Sequence, residues 1–167
     1  AVAIVVIVGS HIGVFSVRGG AHVLIAVAGY NLARFHLTPQ HRQARARSVL
    51  RTAARVAIPS VIWLSALVVV ASEYPIVSAG LLNQWFGPAD GPGWRYWFIE
   101  VLVVLLLGMA MLAASRRFDR LERTWPFALP VLVAAGGLVV RYGIDLDGGK
   151  GHYVVAGVAW LFAVGWA

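Results

Sequence analysis

Six long apolar stretches alternate with short polar ones along the chain, at about residues 1–17, 20–35, 56–72, 94–114, 126–140 and 153–167. Several approach the roughly 17–25 residues that an α-helix needs to cross a bilayer. Lipid offers backbone N–H and C=O groups no partners, so runs of this length are read as helices that satisfy them internally. The pattern predicts an all-α, polytopic transmembrane helix bundle of about six spans, organised as one membrane region over residues 1–167. The first run has no polar flank and the last stops at Trp166-Ala167 in mid-run, so the expectation is a region of a longer multispan protein, truncated at both ends. Residues 1–17 do not read as a secretory signal, because they lack a basic start and a small-residue cleavage site.

Composition agrees with this class. Hydrophobic side chains make up 60% of the 167 residues and charged ones 13%, with a mean hydropathy of +0.78. A soluble domain holds roughly 45–50% apolar residues. The absence of cysteine removes disulfides, thiolate metal sites and cysteine nucleophiles. A net charge of +7 raises the question of nucleic acid, and the placement of the charges answers it. Arg34, Arg42, Arg45, Arg47, Arg51 and Arg55 fall in one connection, and Arg116, Arg117, Arg120 and Arg123 in another. The alternate connections hold only Arg18, Arg95, Arg141 and Lys150, set against Glu73, Asp90, Asp145 and Asp147. By the positive-inside rule the arginine-rich connections are cytoplasmic, the first span runs outward, and the N-terminal side is cytoplasmic. The basic charge is mainly topological, and no nucleic-acid partner is expected.

Two titratable residues stand inside spans. His11 lies six residues before the outward end of span one, and Glu100 six residues inside span four. At about 1.5 Å per residue both sit roughly 9 Å below the outer interface. Such residues usually face the bundle interior or a wet cavity and are functional candidates. The plainer readings are a histidine satisfied by a neighbouring helix, and a glutamate paired with Arg95 or Arg141. A histidine with a pKa near 6.5 can take up or release a proton at neutral pH, and a carboxylate can orient its ring. His11 and Glu100 are therefore the catalytic candidates. No Gly-x-Ser-x-Gly elbow is present.

In "RQARARSVLRTAAR" the residues Arg47, Arg51 and Arg55 recur at i, i+4 and i+8, which on a helix forms one row. Arginine forks match phosphate oxygens, so this row, with Arg34, is a candidate phosphate-binding site; anchoring to anionic lipid is the alternative. Tyr30 and Asn31 stand a turn before Arg34 and could line the same entrance. His22 opens span two on the outer side, but two histidines without a third ligand make no metal site. Trp85, Trp94, Tyr96 and Trp97 fit an interfacial aromatic belt. His36 and His41 have no partner identifiable from sequence.

The segments "GSHIGVF…GGAHVLIAVAGYNLARF", "RTAARVAIPSVIWL", "GWRYWFIEVLVVLLL" and "RRFDRLERTWPF" occur in an order that resembles the N-terminal half of the acyltransferase-3 family. Its members are multispan bacterial membrane proteins that move acyl groups, often acetyl, from a coenzyme A thioester to hydroxylated acceptors. The resemblance implies that His11 matches the family's first-span histidine and Arg55 its arginine before Ile58-Pro59. It matches residues 24–30, with Gly29 and Tyr30, to the second-span motif, and Trp97 and Glu100 to the residues opening the fourth span. The family's arginine near the start of the first span would fall just before Ala1, and Ala28 stands where serine is common. It further implies a bacterial inner membrane location, acyl-CoA as co-substrate without a resident cofactor, a sugar or other cell-envelope acceptor, and a pocket holding Gly29, Tyr30, Asn31 and Trp97. The alternative function class is a transporter or channel fragment with His11 and Glu100 in a proton or substrate pathway.

Overall fold

A computed structural model describes residues 19–38, 41–71, 73–87, 91–143 and 154–167. His11 lies outside the described residues. Among those described the chain is helical, with no strand: α1 Gly20–Asn31, continued by a π turn Leu32–His36; α2 Arg42–Val70; the short α3 Asn83–Phe86; α4 Trp97–Ala114, preceded by a 3₁₀ turn Pro92–Tyr96; α5 Arg116–Thr124; α6 Ala128–Gly143; and α7 Val155–Trp166.

Among the described residues two helical segments are long and apolar enough to cross a membrane, Arg42–Val70 and Pro92–Ala114. A third is reached if α5 and α6, bent by 104° at their junction, count as one broken span. The expectation of about six spans is thus met only in part. With its π turn α1 reaches about 25 Å, and the 12 residues of α7 about 18 Å, short of a roughly 30 Å hydrocarbon core. The connection expected between Arg34 and Arg55 is not a loop beyond Arg42, because alanine and arginine propagate a helix well and α2 begins fourteen residues before its apolar portion. Ile58, Ile62, Trp63, Val69 and Val70 along α2 are exposed, as suits a surface facing lipid rather than water.

Helices α2 and α4 pack along their lengths, and α1, α7 and α6 form a second group. The two groups meet in a core of Ile25, Leu32, Val49, Ala53, Val101, Leu106, Met109, Val158, Phe162 and Trp166. The α1–α7 crossing is set by two glycines. A Cβ on Gly29 would stand 1.9 Å from the Phe162 carbonyl oxygen, and one on Gly165 would stand 1.8 Å from that of Ala26. Only residues without a side chain let the two backbones approach this closely, the usual device where helices meet in lipid. Gly29, expected in the substrate pocket, lies at this contact.

The ends of the bundle are chemically distinct. At one end the Arg42 guanidinium donates to the Ala114 carbonyl at 2.8 Å, tying the start of α2 to the end of α4. Arg45 is buried there and pairs with Glu122 at 2.7 Å and Asp119 at 3.4 Å on α5. Phe118 of α5 meets Trp166 at the end of α7, with ring centroids 5.9 Å apart. At the other end the His22 ring, near the start of α1, packs tilted against Trp97 at the start of α4, with centroids 5.3 Å apart. Successive helices therefore run in the alternating sense that the charge pattern implies.

Candidate functional site

The end of the bundle opposite the arginines gathers around Glu100. Its side chain is fully buried in the first turn of α4, where the positive end of the helix dipole favours a carboxylate. The backbone N–H of Asn83 donates to Oε1 at 3.0 Å, the Asn83 side-chain amide donates to the same oxygen, and the Gln84 backbone N–H donates to Oε2 at 3.2 Å. Asn83 and Gln84 open α3, whose first N–H groups have no partner inside the helix and whose preceding residue, Leu82, supplies no side-chain cap. A carboxylate seventeen residues away serves as that cap. Ser78 Oγ–H donates to Asn83 Oδ1 at 2.8 Å, so the segment 76–86 closes over α4 as one hydrogen-bonded unit.

Glu100 is thus satisfied neither by Arg95 nor by Arg141, the partners weighed from sequence, but by neutral amides. Neutral donors dissipate no charge, and a buried carboxylate with three N–H donors is held firmly in place. Gln84 extends the arrangement: its Oε1 accepts from the Val155 N–H at 3.1 Å, joining the start of α7 to the unit. Trp97 lies one turn before Glu100 and faces His22 and Phe98.

At the arginine end Arg47, Arg51 and Arg55 lie on the exposed side of α2 in the single row that their spacing predicts, and make no ion pair among the described residues. Arg34, Tyr30 and Asn31 are likewise exposed at the end of α1. His36 joins the two helices: Nδ1 is 2.7 Å from Ser48 Oγ and Nε2 is 3.3 Å from Thr52 Oγ1. Partial burial, and then the nearby Arg55 cation, lower the pKa of His36 and favour its neutral ring. An apolar cavity lined by Leu121, Trp125, Ala128, Leu129 and Leu132 opens in the α5–α6 bend.

Tertiary contact brings Glu100 and Trp97 to one end and the four arginines with Tyr30 and Asn31 to the other. Along α4 the two ends are about 21 Å apart, the rise from Glu100 to Ala114. Sequence reasoning missed Asn83, Gln84 and Ser78, although a polar pair in "GLLNQWFG" between apolar neighbours was a signal. It also passed over Arg45, whose i, i+4, i+8 row with Val49 and Ala53 marks the buried face of α2.

A family model described as an acyltransferase domain, that of the acyltransferase-3 family, matches residues 1–167. No curated protein and no solved structure matches the chain.

Proposed function

The chain belongs to the acyltransferase-3 family and is a membrane acyltransferase, and from that premise we propose that it moves an acyl group, acetyl in the simplest case, from an acyl-CoA donor to a hydroxyl of a sugar or other cell-envelope acceptor. His11 is the general base and the protein resides in the bacterial inner membrane, with the arginine end cytoplasmic. The observation that carries this reading is the division of the bundle into two ends: exposed guanidinium groups in a row, with no ion pair among the described residues, at one, and a buried carboxylate in a polar unit at the other.

The division fits the chemistry. A coenzyme A donor brings phosphates that Arg34, Arg47, Arg51 and Arg55 hold by paired N–H donors, while its thioester arm reaches toward the opposite end. There the acceptor hydroxyl loses its proton to His11 as its oxygen attacks the thioester carbon. Glu100 shapes this end through Asn83 and Gln84, and Trp97 offers the acceptor a flat apolar face. Family membership favours acyl transfer over a proton or substrate pathway.

Mass spectrometry of cell-envelope saccharides, with and without the full chain, tests the reaction, and His11→Ala tests the base. Loss of the acyl mass in cells making the His11→Ala protein at normal membrane level is expected, because a positioned base contributes about 10²–10⁴-fold. Wild-type acylation by His11→Ala refutes the base assignment.

A further inference from the structure

Every polar atom that surrounds Glu100 is accounted for except one. The Nε2 atom of Gln84 is buried and has no hydrogen-bond partner among the described residues. The amide cannot be turned to relieve it. Oε1 accepts from the Val155 backbone N–H at 3.1 Å, so a reversed amide would set donor against donor. The residue itself is fixed as well, because its own N–H is held by Glu100 Oε2 at 3.2 Å. A buried unpaired donor is costly, and such groups are rare enough that each calls for an explanation.

The turn that delivers Gln84 carries a second cost. Leu81, three residues earlier, has a φ of 56°, a left-handed conformation that side-chain-bearing residues seldom adopt. Its side chain is buried against Leu64 and Val103, which holds the turn in that shape. A strained turn, a remote carboxylate cap and a backbone clamp from α7 all converge on one outcome: a fixed amide N–H at the end of the bundle where Glu100 lies. Strain maintained by surrounding packing is found where geometry serves a site.

We propose that Gln84 Nε2 donates a hydrogen bond to the carbonyl oxygen of the acyl group during transfer. The proposal rests on the reading of this end as the place of reaction. The acceptor hydroxyl oxygen bonds to the thioester carbon and its proton passes to His11. The C=O electron pair moves onto oxygen, giving a tetrahedral oxyanion that Gln84 Nε2–H receives. Collapse restores the C=O bond and breaks the C–S bond, and the departing thiolate takes the proton from His11. A donor that is already ordered and dry stabilises developing charge without reorganising, which gives the unpaired state in the resting protein its purpose.

The test uses membranes carrying the full chain, acetyl-coenzyme A as donor and total cell-envelope saccharide as acceptor, with thiol release as readout. Gln84→Met keeps the length of the side chain and removes the donor. The expected result is a kcat lower by about 10²–10³-fold with the KM for acetyl-coenzyme A within about twofold. Val155→Pro is the control for the clamp: at the first position of a helix proline is tolerated, and it deletes the N–H that holds Oε1 while leaving Nε2 in place. It is expected to lose less than tenfold. Wild-type kcat in Gln84→Met, or a loss that Val155→Pro equals, overturns the proposal and leaves Gln84 a tie between α3 and α7. His11→Ala measured alongside keeps the two ideas apart, since its activity reports on the base and not on the amide. If Gln84→Met does not accumulate, the infrared carbonyl band of ¹³C-labelled acetyl-coenzyme A on the wild-type protein decides: a downshift supports the donor, and a band at its position in apolar solvent refutes it.

Discussion

Replacing Glu100 by glutamine changes one atom and tests the whole Glu100 unit. The carboxylate accepts three N–H groups, two on Oε1 from Asn83 and one on Oε2 from Gln84. A glutamine amide has one oxygen. With that oxygen toward Asn83 the NH₂ group faces the Gln84 N–H, and with the amide reversed both Asn83 donors lose their acceptor. The better orientation therefore still strands one donor, at about 1–3 kcal/mol. It also converts two charge-assisted bonds into neutral ones of roughly half the strength, worth about 1 kcal/mol more between them. The sum is about 2–4 kcal/mol, concentrated in segment 76–86. Hydrogen exchange is the assay, because the affected N–H groups are themselves the reporters. The Asn83 and Gln84 amides in Glu100→Gln should exchange roughly 30- to 700-fold faster than in the wild type, at 1.4 kcal/mol per decade. Amides in the middle of α4 should change little. Protection of Asn83 and Gln84 within about threefold of wild type would refute the capping role of this carboxylate. Acyl transfer should fall less in Glu100→Gln than in His11→Ala, since the glutamate acts by positioning.

Arg45→Met should lower the unfolding free energy in detergent by about 2–4 kcal/mol. That is somewhat below the roughly 3–5 kcal/mol for breaking a buried pair, because the Asp119 side chain remains 20% exposed. Adding Glu122→Leu should recover much of the loss, and no recovery would show that packing rather than charge is at stake. For His36 the direction of pH dependence follows from its lowered pKa. The unfolded chain binds a proton more readily, so the contribution of neutral His36 is complete above the unfolded value near 6.5 and is lost as the pH falls through the folded one. Unfolding measured from pH 7.5 to 5 should show stability dropping in the wild type, with a smaller slope in His36→Gln; equal slopes would remove His36 as the cause.

What the sequence determines by itself here is class, the alternation of charge between segments and local regularity. Long apolar runs must be helical in lipid because backbone polar groups have no other partners, and an arginine row at i, i+4 and i+8 follows from helix geometry wherever a helix forms. The alternation of charge carries the sense of each segment. These are properties of neighbouring residues, and Arg47, Arg51, Arg55 and the helix that bears them were legible for that reason. Span number was less legible, since α1 passes into a π turn after Asn31 and α5 turns away from α6 by 104°. The partners of the polar groups were not legible at all. Glu100 meets Asn83 and Gln84 across seventeen and sixteen positions, Gln84 meets Val155 across seventy-one, and Arg45 meets Glu122 across seventy-seven. No local pattern encodes such pairs. They exist because Gly29 and Gly165 let α1 and α7 approach, because α2 lies against α4, and because a buried donor or charge settles on whichever complementary group that packing brings within reach. The orphaned amide of Gln84 is a consequence of the same rule, visible only once all its neighbours are in place.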